Sequence, residues 1–90
     1  MKKIGVVEFN RANPPPGGIW DIAMPEGANI ASFQMRGNFP TMWYEAEVGL
    51  KTYDLRQFKL AMNDEELPSN SRYWGTVQPC RCVVHLIELL

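Results

Sequence analysis

Apolar and polar residues alternate along most of this chain, and residues that favour turns interrupt the alternation repeatedly. A period of two places successive side chains on opposite faces of a strand, whereas an amphipathic helix repeats every three to four residues. No stretch shows a convincing helical repeat. The pattern predicts an all-β fold of roughly six to seven short strands, with at most one short helical turn.

We expect these strands within residues 3–9, 19–24, 29–35, 41–48, 52–62, 71–78 and 82–89. The connections are mostly short and rich in Gly, Asn and Pro, which suit tight turns. The strands should therefore pair mainly antiparallel, as a meander that closes into a small barrel or folds as a sandwich. The strand order stays open. The acidic loop at residues 63–70 is where a helical turn could form.

Alternation also predicts which side chains face the core. In the fourth strand Met42, Tyr44, Ala46 and Val48 share one face, which we expect to be the core face, and Trp43 lies on the other. In the third strand the same rule puts Ala31 on the side of Phe33 and Met35, and in the fifth it puts Arg56 on the side of Phe58.

Ninety residues suffice for one domain, so we expect a single β domain over residues 1–90. The Pro/Gly-rich run at residues 13–18 lacks backbone donors at its prolines, which predicts a turning connector rather than a strand. Nine Lys plus Arg nearly balance ten Asp plus Glu, and the charges are scattered. We therefore expect no nucleic-acid partner and no membrane association. The first residues lack a signal-peptide pattern, which predicts an unprocessed cytosolic protein.

The stretch Cys80-Arg81-Cys82 lies three residues before His85, the chain's one histidine. In an extended segment the two cysteines would project to one face and His85 to the other, so the three would not converge on an ion. Three protein ligands would also leave a structural zinc site one short. We expect no metal site and no cofactor, with Cys82 packed as a small apolar side chain and Cys80 in a turn.

No residue pattern supports catalysis. His85 is the one conventional candidate base, and the nearest nucleophile, Cys82, should lie on the opposite face. Gly17-Gly18 lacks the residues of a phosphate-binding loop. The sequence therefore predicts a protein that is not an enzyme.

The aromatic residues offer a better candidate. The adjacent pairs Trp43-Tyr44 and Tyr73-Trp74 cannot both point inward in a regular strand, so one ring of each pair should lie on an outer face. Trp, Tyr and Arg dominate the energetics of protein interfaces. We therefore expect a protein-binding surface, and its candidate residues are Trp43, Arg56, Arg72 and Trp74. A covering layer, a second copy of the chain or a small-ligand pocket would also account for these rings.

The succession IAMPEGANIASFQ, NFPTMWYEAEV, RQFKLA, EELPSNSRYWGTVQ and VVHLIE resembles a small family of uncharacterised proteins encoded by tailed bacteriophages and prophages. The matching elements, over residues 19–88, are Pro25, Gly27, Ala28, Trp43, Arg56, Phe58, Leu67, Pro68, Tyr73, Gly75, Thr76 and His85. The Pro-rich connector and Cys80-Arg81-Cys82 depart from that pattern.

The resemblance implies a phage-encoded protein in the host cytoplasm, and it implies no activity. By analogy with other small phage proteins, we expect a non-enzymatic binding protein that acts on a host protein or a defence complex. The alternatives are a protein that sequesters a nucleotide or another small ligand, and a minor structural component of the virion. The partner could be a host or a phage protein, and a homodimer stays open.

Overall fold

The computed structural model describes all 90 residues and contains seven strands. The bounds are β1 Lys2–Glu8, β2 Ile19–Pro25, β3 Asn29–Arg36, β4 Phe39–Glu47, β5 Tyr53–Ala61, β6 Ser71–Val77 and β7 Val84–Leu89. The all-β prediction is confirmed, and each strand begins and ends within two residues of its predicted bounds. No helix of the structure is long and apolar enough to cross a membrane.

The strands form two antiparallel sheets that pack as a sandwich. A three-stranded sheet has the order β1-β4-β3, and a four-stranded sheet has the order β2-β5-β7-β6. Strands that are neighbours in the sequence pair directly only in β3–β4 and β6–β7. The other connections carry the chain between sheets or past a strand. The predicted antiparallel sandwich is therefore confirmed, but the predicted meander order is wrong, because most of the pairing joins residues far apart in the sequence.

The single helical turn lies at Pro16–Gly18, inside the Pro-rich connector, and not in the acidic loop. In that loop Asp64 adopts a left-handed backbone with φ 63°. The N–H of Glu65 donates to the Met62 carbonyl, and the Glu65 carboxylate accepts from the Met62 N–H. These bonds close a tight turn, and the left-handed residue within it cannot continue a right-handed helix.

The core lies between the two sheets and draws on both. Its fully buried side chains include Phe9, Met24, Met42, Phe58 and Leu86. The Phe9 ring makes edge-on contacts with Trp20, Phe33 and Phe58 at centroid distances of 5.4 to 6.4 Å. Phe9 follows directly after β1 and thereby fixes the end of that strand against the sandwich.

The predicted core face of β4 is confirmed for Met42, Tyr44 and Ala46 and is wrong for Val48, which follows the strand and is 51% exposed. The predicted side of Arg56 on β5 agrees with the structure, and the predicted side of Ala31 on β3 does not. Met42 and Ala46 are buried, and Arg56 lies on the side of buried Phe58. In β3 a bulge between Ile30 and Ser32 shifts the register against β4. The bulge leaves Ala31 exposed and turns Ile30 toward the core, because the extra residue breaks the alternation.

Candidate functional site

Arg56 lies at the centre of a polar network inside the sandwich. Its Nε and Nη2 donate to the two carboxylate oxygens of Glu88 at 2.6 and 2.7 Å. Its Nη1 donates to the carbonyl oxygen of Ala28 at 2.7 Å, and Trp74 Nε1 donates to Glu88 Oε1 at 3.0 Å. The side chains of Arg56 and Glu88 are only 17% and 6% exposed. Arg56 is therefore bonded internally and ties β5, β7 and the turn after β2 together.

Arg56 and Glu88 stabilise each other's charged forms within this network. Burial alone would raise the pKa of Glu88, but the hydrogen bonds from Arg56 and Trp74 outweigh it and hold that pKa below its ordinary value. The hydrogen bond to the Glu88 carboxylate raises the pKa of Arg56 above its ordinary value, against the effect of burial. Both groups are therefore held in their charged forms, and the pair offers no proton for chemistry.

Arg72 and Trp74 lie beside this network on β6, an edge strand of the four-stranded sheet. The Trp74 ring is half buried and packs against the core. The Arg72 guanidinium carbon lies 4.4 Å from the centroid of that ring, and Arg72 itself is exposed. The structure thus brings three of the four predicted site residues together, with only Arg72 fully at the surface.

Trp43 lies apart from the other three. On β4 it projects away from Met42 and Tyr44, which face the core, so its ring lies on the outer face of the three-stranded sheet. Its cross-strand neighbours are Val6 on β1 and Ser32 on β3. The predicted residues therefore do not form one continuous surface.

The outer face of the three-stranded sheet carries an apolar patch around Trp43. Ile4 is 63% exposed, Val6 46% and Phe39 39%, and all three share the outward alternation of Trp43. We call Ile4, Val6, Phe39 and Trp43 the outer patch. Charged residues of both signs lie on the same face around it, namely Lys2, Glu8, Arg36 and Glu45. An apolar centre with a charged rim is the arrangement of a protein interface.

His85 takes part in a second polar cluster, on the outer face of the four-stranded sheet. Its Nε2 lies 2.6 Å from Asn63 Oδ1 and its Nδ1 lies 2.8 Å from Thr76 Oγ1, which in turn bonds to the Tyr73 hydroxyl. In a neutral ring, Nε2–H donates to Asn63 and Nδ1 accepts from the Thr76 hydroxyl. Both ring nitrogens are thus occupied by neutral partners.

This cluster borders a cavity of ≈ 330 Å³, at the lower end of the range for small-molecule sites. Its lining is mixed: Met62, Leu67 and Ile87 contribute apolar side chains, and the carboxylates of Asp64 and Glu65 also line it. Carboxylates on the wall disfavour an anionic ligand such as a nucleotide.

The two cysteines lie in the loop between β6 and β7. Cys80 is exposed, Cys82 is half buried, and both are free thiols. The Cys82 N–H donates to Cys80 Sγ at 3.4 Å, and this bond, with further hydrogen bonds from Cys82 and Arg11, lowers the pKa of the Cys80 thiol. No group of three or more His, Cys, Asp or Glu side chains is arranged to hold a metal ion.

Sequence reasoning missed several residues that the structure makes prominent. Glu88 reads as an ordinary polar residue near the end of the chain, yet it is the acceptor for Arg56 and Trp74. Two features of the sequence could have indicated this pair. Glu88 lies between the apolar residues Ile87 and Leu89, and Arg56 lies on an apolar face of another predicted strand. The exposure of Ile4 and Val6 had no local signal, because the alternation of β1 does not show which of its faces is covered.

A family model described as a domain of unknown function, DUF7352, matches residues 15–90. The chain belongs to this family. The DUF7352 match covers β2 to β7, including the Arg56–Glu88 network and the His85 cluster, whereas β1 precedes it. No curated protein and no solved structure matches the chain.

Proposed function

We propose that this DUF7352 protein is a non-enzymatic binding protein that docks a partner protein on the outer patch, with Trp43 as the central contact. The observation that carries the proposal is the exposure of Ile4 and Val6 beside a tryptophan that does not pack against the core. Large apolar side chains that stay in water cost free energy, and burying them against a partner recovers it.

The apolar centre and the charged rim of the outer patch indicate which kind of protein surface would bind there. A ring of Trp43's size suits an apolar side chain or shallow pocket on the partner, as in interface hot spots. The rim carries Lys2 and Arg36 as well as Glu8 and Glu45, so a partner of strongly single-signed charge would meet repulsion on one side. We therefore propose a partner protein with an apolar centre and a mixed rim.

The setting of this binding is also part of the proposal. The resemblance to proteins of tailed phages and prophages supports a role in the infected bacterium, in the host cytoplasm. There the partner would be a host protein or a defence complex.

Affinity capture with matched variants tests the proposal. Tagged wild-type protein should retain a stoichiometric partner from host lysate, and Trp43→Ala should lose it. Tyr53→Ala is the matched control, because Tyr53 is an aromatic residue that is 61% exposed on β5 of the other sheet. Circular dichroism should be unchanged in both variants.

The result that contradicts the proposal is equal retention of the partner by Trp43→Ala and wild type, or equal loss in Trp43→Ala and Tyr53→Ala. Recovery only with purified virions would instead support the structural role.

A small-ligand role has one observation in its favour. Arg11, Lys59 and Trp20 line a second cavity, which combines cations with an aromatic ring. Its volume is ≈ 200 Å³, below the usual range for ligand sites, and Lys59 already forms an ion pair with Glu65.

Thermal denaturation with nucleotides separates the two functions. A nucleotide present at about 100 times its Kd would stabilise the folded protein by about 2.7 kcal/mol. We expect no such shift, and a clear one that Arg11→Ala removes would favour sequestration.

A further inference from the structure

We propose that β1 is a self-association strand, through which two copies of the chain join their three-stranded sheets into one six-stranded antiparallel sheet. The proposed surface is the backbone edge of β1. Two residues of this edge, Ile4 and Val6, also contribute their side chains to the outer patch. The inference does not depend on the partner protein proposed to dock on that patch.

The first observation is that β1 has one backbone partner. It pairs with β4 along its whole length without a register shift, and no strand pairs with its other side. The remaining edge strands are less open. β3 and β6 contain bulges, and β2 ends in Pro25, which has no N–H to donate.

The second observation identifies which backbone groups are free. The N–H of Phe9 donates to the Pro40 carbonyl, and the N–H of Val48 donates to the Met1 carbonyl. Residues 1 and 9 therefore form hydrogen-bonded pairs with the β4 side, and by the alternation of an antiparallel ladder so do residues 3, 5 and 7. The even-numbered residues direct both backbone groups away from β4. These are Lys2, Ile4, Val6 and Glu8.

The third observation is that the sequence of β1 complements itself. When two copies run antiparallel about a two-fold axis at Gly5, Lys2 faces the partner's Glu8 and Ile4 faces the partner's Val6. Every outward N–H and C=O of the even-numbered residues then finds a partner across the axis. Two cross-strand ion pairs and two apolar pairs form on the same face.

The charges select this register over its neighbours. The neighbouring registers slide one β1 strand by two residues relative to the other. In one direction, Ile4 lies opposite the partner's Ile4, and Lys2 lies opposite the partner's Val6. The opposite shift opposes Val6 to Val6 and puts Ile4 against the partner's Glu8. Charged residues usually protect an open edge from pairing, but here the basic and acidic ends of β1 neutralise each other only in the symmetric arrangement.

The dimer also extends the outer patch. Trp43 lies beside Val6 on its own sheet, and Val6 would lie beside the partner's Ile4. The row from Trp43 to the partner's Ile4 is thus continuous, and the two-fold axis generates the same row in the other half. An isologous interface of this kind closes as a dimer and leaves no open end.

Sedimentation equilibrium on the purified chain tests the proposal. The wild type should show twice the chain mass of 10.3 kDa at high concentration. Glu8→Lys and Lys2→Glu should each weaken dimerisation by about tenfold or more, because both ion pairs become repulsive. The double variant Lys2→Glu with Glu8→Lys should restore the dimer, since the pairs are re-formed with the charges exchanged.

Two further variants keep the result interpretable. Glu66→Lys changes the net charge by the same amount as Glu8→Lys, but on an exposed loop away from β1. We expect this variant to stay dimeric. Val6→Pro removes an N–H that does not bond to β4, so it should abolish the dimer and retain the circular dichroism of the fold. A wild type that is monomeric up to its solubility limit overturns the proposal, as does a dimer that Glu8→Lys and Val6→Pro leave unchanged.

Discussion

At the scale of single residues, the Arg56–Glu88 pair is the clearest case of a structural role for residues that resemble a binding site in the sequence. Arginine beside tryptophan is a common interface pairing. Here the guanidinium donates three hydrogen bonds inside the protein, and the indole N–H donates a fourth to the same carboxylate. The distinction depends on Glu88, which is 32 residues away from Arg56 in the chain.

Removing one member of this pair should destabilise the protein more than removing both. Glu88→Leu leaves the Arg56 charge buried without its partner, so we expect a loss of about 3 to 5 kcal/mol in the free energy of unfolding. Arg56→Met combined with Glu88→Leu should cost less, because no unpaired charge remains. Urea unfolding of the three proteins measures both values, and a double variant as unstable as the sum of its single variants would contradict this account.

Cys80 should be the more reactive of the two thiols. The Cys82 N–H and Arg11 favour the thiolate of Cys80, and Cys80 is exposed whereas Cys82 is half buried. Thiolates are the species that react with iodoacetamide. Mass spectrometry after brief alkylation at neutral pH should find the label on Cys80 first, and Arg11→Ala should slow that labelling. Equal labelling of the two cysteines would contradict the assignment.

At the scale of elements, strand positions follow from local alternation and turn residues, and strand pairing does not. Pro25-Glu26-Gly27 and Arg36-Gly37-Asn38 mark turns that the structure contains. The bulge that exposes Ala31 depends on the β4 register, which no local pattern encodes. The same holds for Trp43, because its separation from Arg56, Arg72 and Trp74 follows from the allocation of β4 and β6 to different sheets.

The pairing of β1 with β4 depends on a glycine. Gly5 lies opposite Tyr44, and a Cβ added at Gly5 would come within 2.1 Å of the Tyr44 ring. Gly5→Ala should therefore cost about 1 to 3 kcal/mol of stability through overpacking. In a Tyr44→Ala background the same substitution should cost much less, which a double-mutant cycle in urea measures. An equal cost in both backgrounds would show that the ring is not the obstacle.

At the scale of the whole molecule, the sandwich keeps its charged network between the sheets, and the outer patch lies on the outer face of the three-stranded sheet. The composition, with nearly balanced charge, gives no sign of this division. It arises because each sheet buries one face against the other, and because Arg56 and Glu88 satisfy each other within the buried layer.

Stability should fall at acidic pH because of Glu88. Its pKa is lower in the folded protein than in the unfolded chain, so its contribution is complete above the ordinary carboxyl pKa of about 4.3 and is lost as pH falls through the lowered value. Urea midpoints should therefore decrease below about pH 4.3. The double variant Arg56→Met with Glu88→Leu should show a shallower decrease, and an identical slope would assign the acid sensitivity to other carboxyls.

The most direct test of the account compares Trp43→Ala with Trp74→Ala in two assays, urea unfolding and partner capture. We expect Trp43→Ala to change the free energy of unfolding by less than about 1 kcal/mol and to abolish capture. Trp74→Ala should cost about 3 kcal/mol or more, and its folded fraction should still capture the partner. Capture that survives Trp43→Ala and is lost with Trp74→Ala would contradict the assignment of the binding surface to the three-stranded sheet.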